Sequence, residues 1–420
     1  MNKTITISLV VSLAGAAALY AAYRLGVEST RPEPSDAAVA TADPVLEDRA
    51  SQAPKSPELP PGHPTTPSVE PPPGQVGRTS FSHFRVGNSN VKALLVDGPK
   101  LWVGTSGGVI LYDTEKDEHR LFDVRAGLLS NGIFHLSKYG ERLMVGTYGG
   151  GLSLFEPVSE RWEHYNIQHG LADAFIYDVL EMDNGDLWIA TWSGANLVRG
   201  GQLDEREAWI TYTVENTGGG LPNDWVYGLE KAADGGVWMA TEGGLAHFKG
   251  GTWRNWKHED GLGAPYEKVR DQIQFERDPA KESSHHARQK VEMGLGEVDV
   301  AYNPNYIVAL YEDDQGVVWT GTWGGGLARF DGSQWRNFTM ADGLPANHVF
   351  LLAPAENGEM WVGTSGGLAR FDGERFIEVL TTHQGLYADN VFSLARGEDG
   401  SLWVGSYGGV ARIKRGGSEG

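Results

Sequence analysis

The hydrophobic pattern of this chain is a short apolar strand, a glycine turn and a second short strand, and it returns seven times. It reads LWVGTSGGVILYD at Leu101, LMVGTYGGGLSLF at Leu143, LWIATWSGANLV at Leu187 and VWMATEGGLAHF at Val237. It continues as VWTGTWGGGLARF at Val318, MWVGTSGGLARF at Met360 and LWVGSYGGVARI at Leu402. The anchor positions are Trp102, Met144, Trp188, Trp238, Trp319, Trp361 and Trp403, at successive spacings of 42, 44, 50, 81, 42 and 42. A period in the low forties is that of a four-stranded propeller blade. Within each unit an apolar strand such as VFSLA precedes an Asp–Gly turn. The motif then supplies two strands around its glycines, and an aromatic strand such as QWRNFT completes the set. Apolar residues on both faces suit sheets covered on both sides.

The pattern predicts an all-β chain, a seven-bladed β-propeller. The last unit stops after its third strand, near Lys414. Ser80–Val86, SFSHFRV, has the aromatic spacing of the missing fourth strand, so an N-terminal strand is expected to close the last blade and remove its open edge.

The spacing of 81 holds the one irregularity. No further motif falls inside it, so residues 263–304 read as an insertion in a connection between blades. YEKVRDQIQFERD predicts a short helix with Val269 and Ile273 on one face. His285 and His286 follow, but an adjacent pair does not make a metal site by itself. A loop this long in a compact domain is read here as a lid or docking element; the alternative is a surface insertion without a task.

Composition changes the picture at the N-terminus. Residues 4–23 carry no charge over twenty positions, about the 30 Å of a bilayer core when helical. A transmembrane helix, a signal anchor, is expected over residues 1–27, with cleavage near Ala18–Ala22 as the alternative. Twelve prolines between Pro32 and Pro73 predict a disordered linker over 28–79. The propeller is expected over 80–415 and a disordered tail over 416–420. The expected location is the inner membrane, single-pass, with the propeller on the periplasmic side. The net charge of −20 argues against nucleic acid, and the absence of Cys excludes disulfides and thiolate chemistry.

Antiparallel order puts the turn between strands two and three on the same face as the connections between blades and the insertion. Tyr148, Trp192, Glu242, Trp323 and Tyr407 fall in those turns, and Phe175, Trp225, Tyr306 and His348 in the connections. Their identity changes from unit to unit, so the scaffold does not demand them, and aromatics mixed with His and Glu form a candidate ligand-binding face. Phe134, Tyr177, Tyr227, Phe350 and Phe392 recur at one position in the first strand of their units and are assigned to packing between blades. No P-loop, HExxH or GxSxG motif occurs. Glu242 and His348 are the first acid–base candidates should the chain be an enzyme. No catalytic residue, metal or cofactor is expected.

The motifs W-x-G-T-x-x-G-G resemble the two-component regulator propeller repeats, over about residues 81–414. The resemblance implies a periplasmic sensor propeller of the kind found in hybrid histidine kinases, here stand-alone, without a kinase domain. The expected function is a membrane-tethered, extracytoplasmic module that recognises a ligand or a protein. The alternatives are a propeller enzyme, a polysaccharide or lactone lyase or hydrolase, and a protein-binding scaffold of an envelope complex.

Overall fold

Among the described residues the sheets are antiparallel throughout, and within each sheet strands adjacent in sequence are hydrogen-bonded. The computed structural model describes residues 79–415. The membrane helix expected over 1–27, the linker (Thr79 apart) and the tail lie outside these residues. Among the described residues no helix is long and apolar enough to cross a membrane.

Five four-stranded sheets stand as separate blades. The second repeat gives Ile133–Tyr139, Arg142–Thr147, Leu152–Glu156 and Arg161–Tyr165. The third to sixth repeats do the same from Ile176, Val226, Asn303 and Val349. The expectation of seven separate blades is corrected. The remaining strands form one six-stranded sheet, in the order Val391–Arg396, Leu402–Arg415, Thr79–Asp97, Lys100–Thr105, Gly108–Asp113, Glu118–Phe122.

The cause of the fusion is two long strands. Thr79–Asp97 runs for 19 residues and Leu402–Arg415 for 14. Thr79–Arg85 pairs with Gly409–Arg415, as the aromatic spacing of SFSHFRV suggested. The chain then stays extended, and Asn90 still pairs with Tyr407 before Val91 takes up Thr105. The sheet therefore passes from the last repeat into the first, with a shift of register between Arg85 and Asn90.

The repeated motif has a physical reason at each position. The anchor side chains are all buried, with Trp102 at 2% and Trp403 at 4% exposure. Trp102 packs on Phe122 of its own sheet and on Phe155 of the next, at 6.0 and 6.1 Å between ring centroids. The threonine closes the turn. Its hydroxyl donates to the carbonyl of Gly108, Gly194, Gly244 and Gly367 at 2.7–2.9 Å. The glycine before it lies where neighbouring sheets touch. A Cβ on Gly321 would stand 2.5 Å from Val349 of the following sheet, and one on Gly405 would stand 2.6 Å from Val91. The second contact joins the last repeat to the first.

The insertion is folded. It contains α1 (Tyr266–Val269), α2 (Pro279–Glu282) and α3 (Ser284–Glu292). Val269 is fully buried with Ala264 and Tyr302, and Ile273 packs against them, but the helix ends at Val269 and Ile273 follows a 3-10 turn in extended backbone, so the expected single helical face is corrected. The polar tie is Lys290, whose ammonium donates to Asp278 at 2.7 Å and to the carbonyls of Val298 and Val300 at 2.8 and 2.7 Å. Both partners are almost wholly buried, and the two carbonyls supply the extra hydrogen bonds that a buried ion pair requires.

Candidate functional site

The first strand of every repeat carries a break in its register. It falls between Val91 and Ala93, Ile133 and His135, and Val226 and Gly228. The same break lies between Ile307 and Ala309, Val349 and Leu351, and Val391 and Ser393; in the third repeat it lies between Ile176 and Asp178. The residue left unpaired in each strand is Lys92, Phe134, Tyr177, Tyr227, Val308, Phe350 or Phe392. A β-bulge re-aims its extra residue out of the ladder. All seven line a single central cavity of about 710 Å³.

Phe134, Tyr177, Tyr227, Phe350 and Phe392 pack from blade to blade as expected, but they are not core residues. They are half-buried and wall the cavity. The buried contact between sheets belongs to the residue before each, such as Ile133 or Val349, which meets the motif glycine. The wall rings contact one another around the channel, Phe134 with Tyr177 at 5.1 Å, Tyr177 with Tyr227 at 4.8 Å and Phe350 with Phe392 at 5.4 Å.

The candidate residues of the turns and connections form the next layer out. Tyr148 and Phe175 are backbone partners across adjacent repeats, as are Trp323 and His348. Rings follow in series: Tyr148 to Phe175 at 4.4 Å, Phe175 to Trp192 at 4.8 Å and Trp192 to Trp225 at 4.5 Å, each edge to face. Trp225 then stacks on His285 at 4.1 Å, and Tyr306 stacks on Trp323 at 5.1 Å and 10°. Tyr148, Trp192, Trp225, Tyr306 and Trp323 line the cavity. Phe175 packs between two of them. Tyr407 stands apart, 45% exposed, with its backbone in the fused sheet.

The insertion covers this layer. Phe275 reaches Trp323, His348 and Phe350 at 4.8–5.7 Å between centroids. Arg277, Pro279, Glu282, Ser283 and His286 complete the cavity wall from the cap side. The cap is fastened at its edges. Ala264 N–H donates to the Gly325 carbonyl at 2.8 Å, Tyr302 hydroxyl to the Ala264 carbonyl at 2.7 Å, and Asn347 to Gln272 at 3.1 Å.

Glu242 and His348 are positioning groups in this arrangement. Glu242 is fully buried, and its two oxygens face His286 Nδ1 and, at 3.4 Å, His285 Nε2. Among the described residues neither oxygen, nor His286 Nδ1, has a hydrogen-bond partner of good geometry, so these are close ion-pair contacts rather than hydrogen bonds. The adjacent histidines thus converge on one carboxylate of the fourth repeat. His348 is 1% exposed and meets the Ala301 carbonyl at 2.7 Å through Nε2. Burial pushes its pKa down to about 4, so it is the neutral imidazole that donates to Ala301. Neither side chain lines the central cavity, so neither is placed to exchange a proton with a molecule inside it.

The electrostatics of the wall follow from its dryness. Burial raises the tyrosine pKa values of Tyr177, Tyr227 and Tyr306, so these hydroxyls stay neutral donors and acceptors. Asp178 accepts from Leu229 N–H at 2.8 Å and meets His135 Nδ1 at 2.9 Å. Lys92 has its ammonium 4.1 Å from the Phe392 ring centroid. The bulge positions and the two cations were missed by sequence reasoning, since a bulge is visible only in strand pairing.

Residues 301–324 and 343–366 match the family model of the two component regulator propeller, so the chain carries repeats of that family. A search of curated proteins finds no match to this sequence. Among solved structures, one similar fold is the extracellular domain of a protein assigned as a hybrid two component system of B. thetaiotaomicron. It is 18% identical, with TM-score 0.55, over 79% of this chain and 39% of that one. A virginiamycin B lyase from Staphylococcus aureus, 10% identical, gives a TM-score of 0.55 over 80% of this chain and 99% of the lyase. PorZ of Porphyromonas gingivalis, a surface component of the type-IX secretion system, gives 14% and 0.52 over 78% and 47%. These likenesses establish the propeller fold. The chain spans about two fifths of the length of the first of them.

Proposed function

We propose that the chain is an extracytoplasmic recognition module that takes a ligand into the capped central cavity, tethered to a membrane by its N-terminal apolar segment. The observation that carries this reading is the cavity itself. Its wall is built from unpaired bulge residues that the sheet does not need, and a folded insertion roofs it. Aromatic side chains in a concave, largely preformed site are the usual material of ligand pockets. The match to two component regulator repeats, and the likeness to an extracellular domain of such a system, support the extracytoplasmic placement. In this reading the cap is a lid or a surface presented to a partner.

The test is a thermal-shift and tryptophan-fluorescence screen of the purified chain against glycan, peptide and small aromatic panels. A stabilising compound is expected whose effect disappears in the Trp192→Ala/Trp323→Ala double variant. Binding that survives both substitutions would move the site elsewhere and end this reading.

A further inference from the structure

Lys92 is out of character for its position. Six of the seven bulge residues are aromatic or aliphatic; the seventh is a lysine, half-buried in the wall of the same cavity. Its ammonium lies over the Phe392 ring, and no carboxylate pairs with it among the described residues. A second cation, Arg277, faces the cavity from the cap and likewise has no ion pair among the described residues. Lys92, left without an anion in an aromatic wall, is costly because nothing there compensates its lost hydration, and Arg277, exposed on the cap, adds a second positive charge at the same cavity. The strain registers on Lys92, whose pKa falls to about 8, first through burial and then through repulsion by Arg277.

Two carboxylates also line the cavity, and neither neutralises the pair. Asp178 is occupied by His135 and by the Leu229 amide. Glu282 is exposed on α2 and makes no ion pair among the described residues. His286, the remaining titratable cap residue of the wall, is turned to Glu242. Tyr177, Tyr227 and Tyr306 are held neutral by burial.

We propose that the cavity binds a small aromatic carboxylate, its ring against the aromatic wall and its carboxylate between Lys92 and Arg277. This rests on the reading of the cavity as a ligand site and adds the chemical class. The carboxylate offsets both cations at once, and a guanidinium and an ammonium together offer it fixed, charge-assisted donors. The flat ring matches walls that already contact one another edge to face.

The experiment is titration calorimetry of the chain with indole-3-acetate and with its neutral amide, indole-3-acetamide. At pH 7 the acid is expected to bind at least about tenfold more tightly than the amide, the increment of a good charge-assisted contact. Lys92→Gln should reduce that preference to near unity while leaving the melting temperature close to wild type. Arg277→Gln, on the exposed cap, should weaken the acid several-fold and the amide little. Raising the pH from 7 to 9 deprotonates Lys92 in the empty protein, so the acid should lose about tenfold and the amide nothing. Equal affinities for acid and amide overturn the proposal, as does a preference that survives both substitutions. If neither probe binds at millimolar concentration, the proposal also fails. The cavity reading still stands in that case if the wider screen finds a neutral ligand that needs Trp192 and Trp323, and falls with it if the screen finds none.

Discussion

His286, on the cap helix α3, turns its Nδ1 onto the carboxylate of Glu242, a side chain with no solvent exposure at all. This contact joins the insertion to a turn of the fourth repeat, and the same imidazole stacks on Tyr306 at 5.7 Å and 24°. One residue therefore belongs to the cavity wall, to the cap and to the cap's attachment.

Removing that imidazole should loosen the cap. In His286→Ala the Glu242 carboxylate keeps only His285 at 3.4 Å. Leaving a buried carboxylate without its close ion-pair partner is destabilising. Hydrogen exchange across α3 (Ser284–Glu292) should quicken accordingly, with exchange in the blade strands unchanged. The Glu242→Gln/His286→Ala double variant should exchange more slowly than His286→Ala alone, because the unpaired charge is gone. Equal exchange in wild type and His286→Ala would show that the contact does not hold the cap.

The motif glycine gives a prediction about the ring. Gly321→Ala places a methyl 2.5 Å from Val349 and 3.0 Å from the Ala309 side chain, between two sheets. Overpacking of this kind typically costs about 1–3 kcal/mol. The third and fourth repeats already carry Ala190 and Ala240 at this position, both fully buried. Ala190→Gly should therefore not stabilise the fold, whereas Gly321→Ala should lower its urea midpoint. An unchanged midpoint for Gly321→Ala would mean that the sheets slide apart freely there.

These contacts explain how much was legible beforehand. The repeat could be read because sheet contact imposes a small residue, such as Gly321 or Ala190, and turn closure a threonine, such as Thr191, at fixed spacing, with Ser406 in its place in the last repeat. The pairing of Thr79–Arg85 could be read because Phe81 and Phe84 carry the spacing of a fourth strand. The fused sheet could not, since it depends on Asn90 finding Tyr407 more than three hundred residues away. That Phe134 and its counterparts also wall the cavity could not be read, for a related reason. Recurrence at one position is common to core residues and to bulge residues, and only the ladder separates them. The helix carrying Val269 was visible in its periodicity, though not its end at that residue, whereas the Asp278–Lys290 pair and the convergence of His285 and His286 on Glu242 are tertiary contacts without a local pattern.

Closure by the N-terminal strand predicts a severe truncation phenotype. A chain starting at residue 87 leaves Gly409–Arg415 with its hydrogen-bonding edge bare, and removes Phe84 from between Tyr112 and Trp403 at 5.1 and 6.4 Å. Burial of one such ring alone contributes about 1.5–3 kcal/mol. The truncated chain should melt well below one starting at residue 74 and should aggregate through the exposed strand. Supplying residues 79–86 as a peptide should restore part of the difference. Equal melting temperatures for the two chains would mean that the pairing contributes little.

Two buried groups should oppose each other as the pH falls. His348 has its pKa lowered from 6.5 to about 4 by burial. The unfolded chain then binds the extra proton, so this group's contribution is complete above about 6.5 and is lost as pH falls toward 4. Glu230 is the reverse case, raised from 4.5 to about 7 by burial first and by the Asp178 charge second. Here the folded chain holds the extra proton, so its contribution is complete below about 4.5 and is lost as pH rises toward 7. Each shift corresponds to about 3 kcal/mol by linkage. Between pH 4.5 and 6.5 the two slopes nearly cancel, and substitution should separate them. Relative to wild type, Glu230→Gln should gain unfolding free energy with rising pH, whereas His348→Gln, which keeps a donor for Ala301, should gain it with falling pH. Urea titrations of the three proteins at pH 4.5, 5.5 and 6.5 measure both slopes, and variants that run parallel to wild type across that range would refute the assignment of opposite shifts.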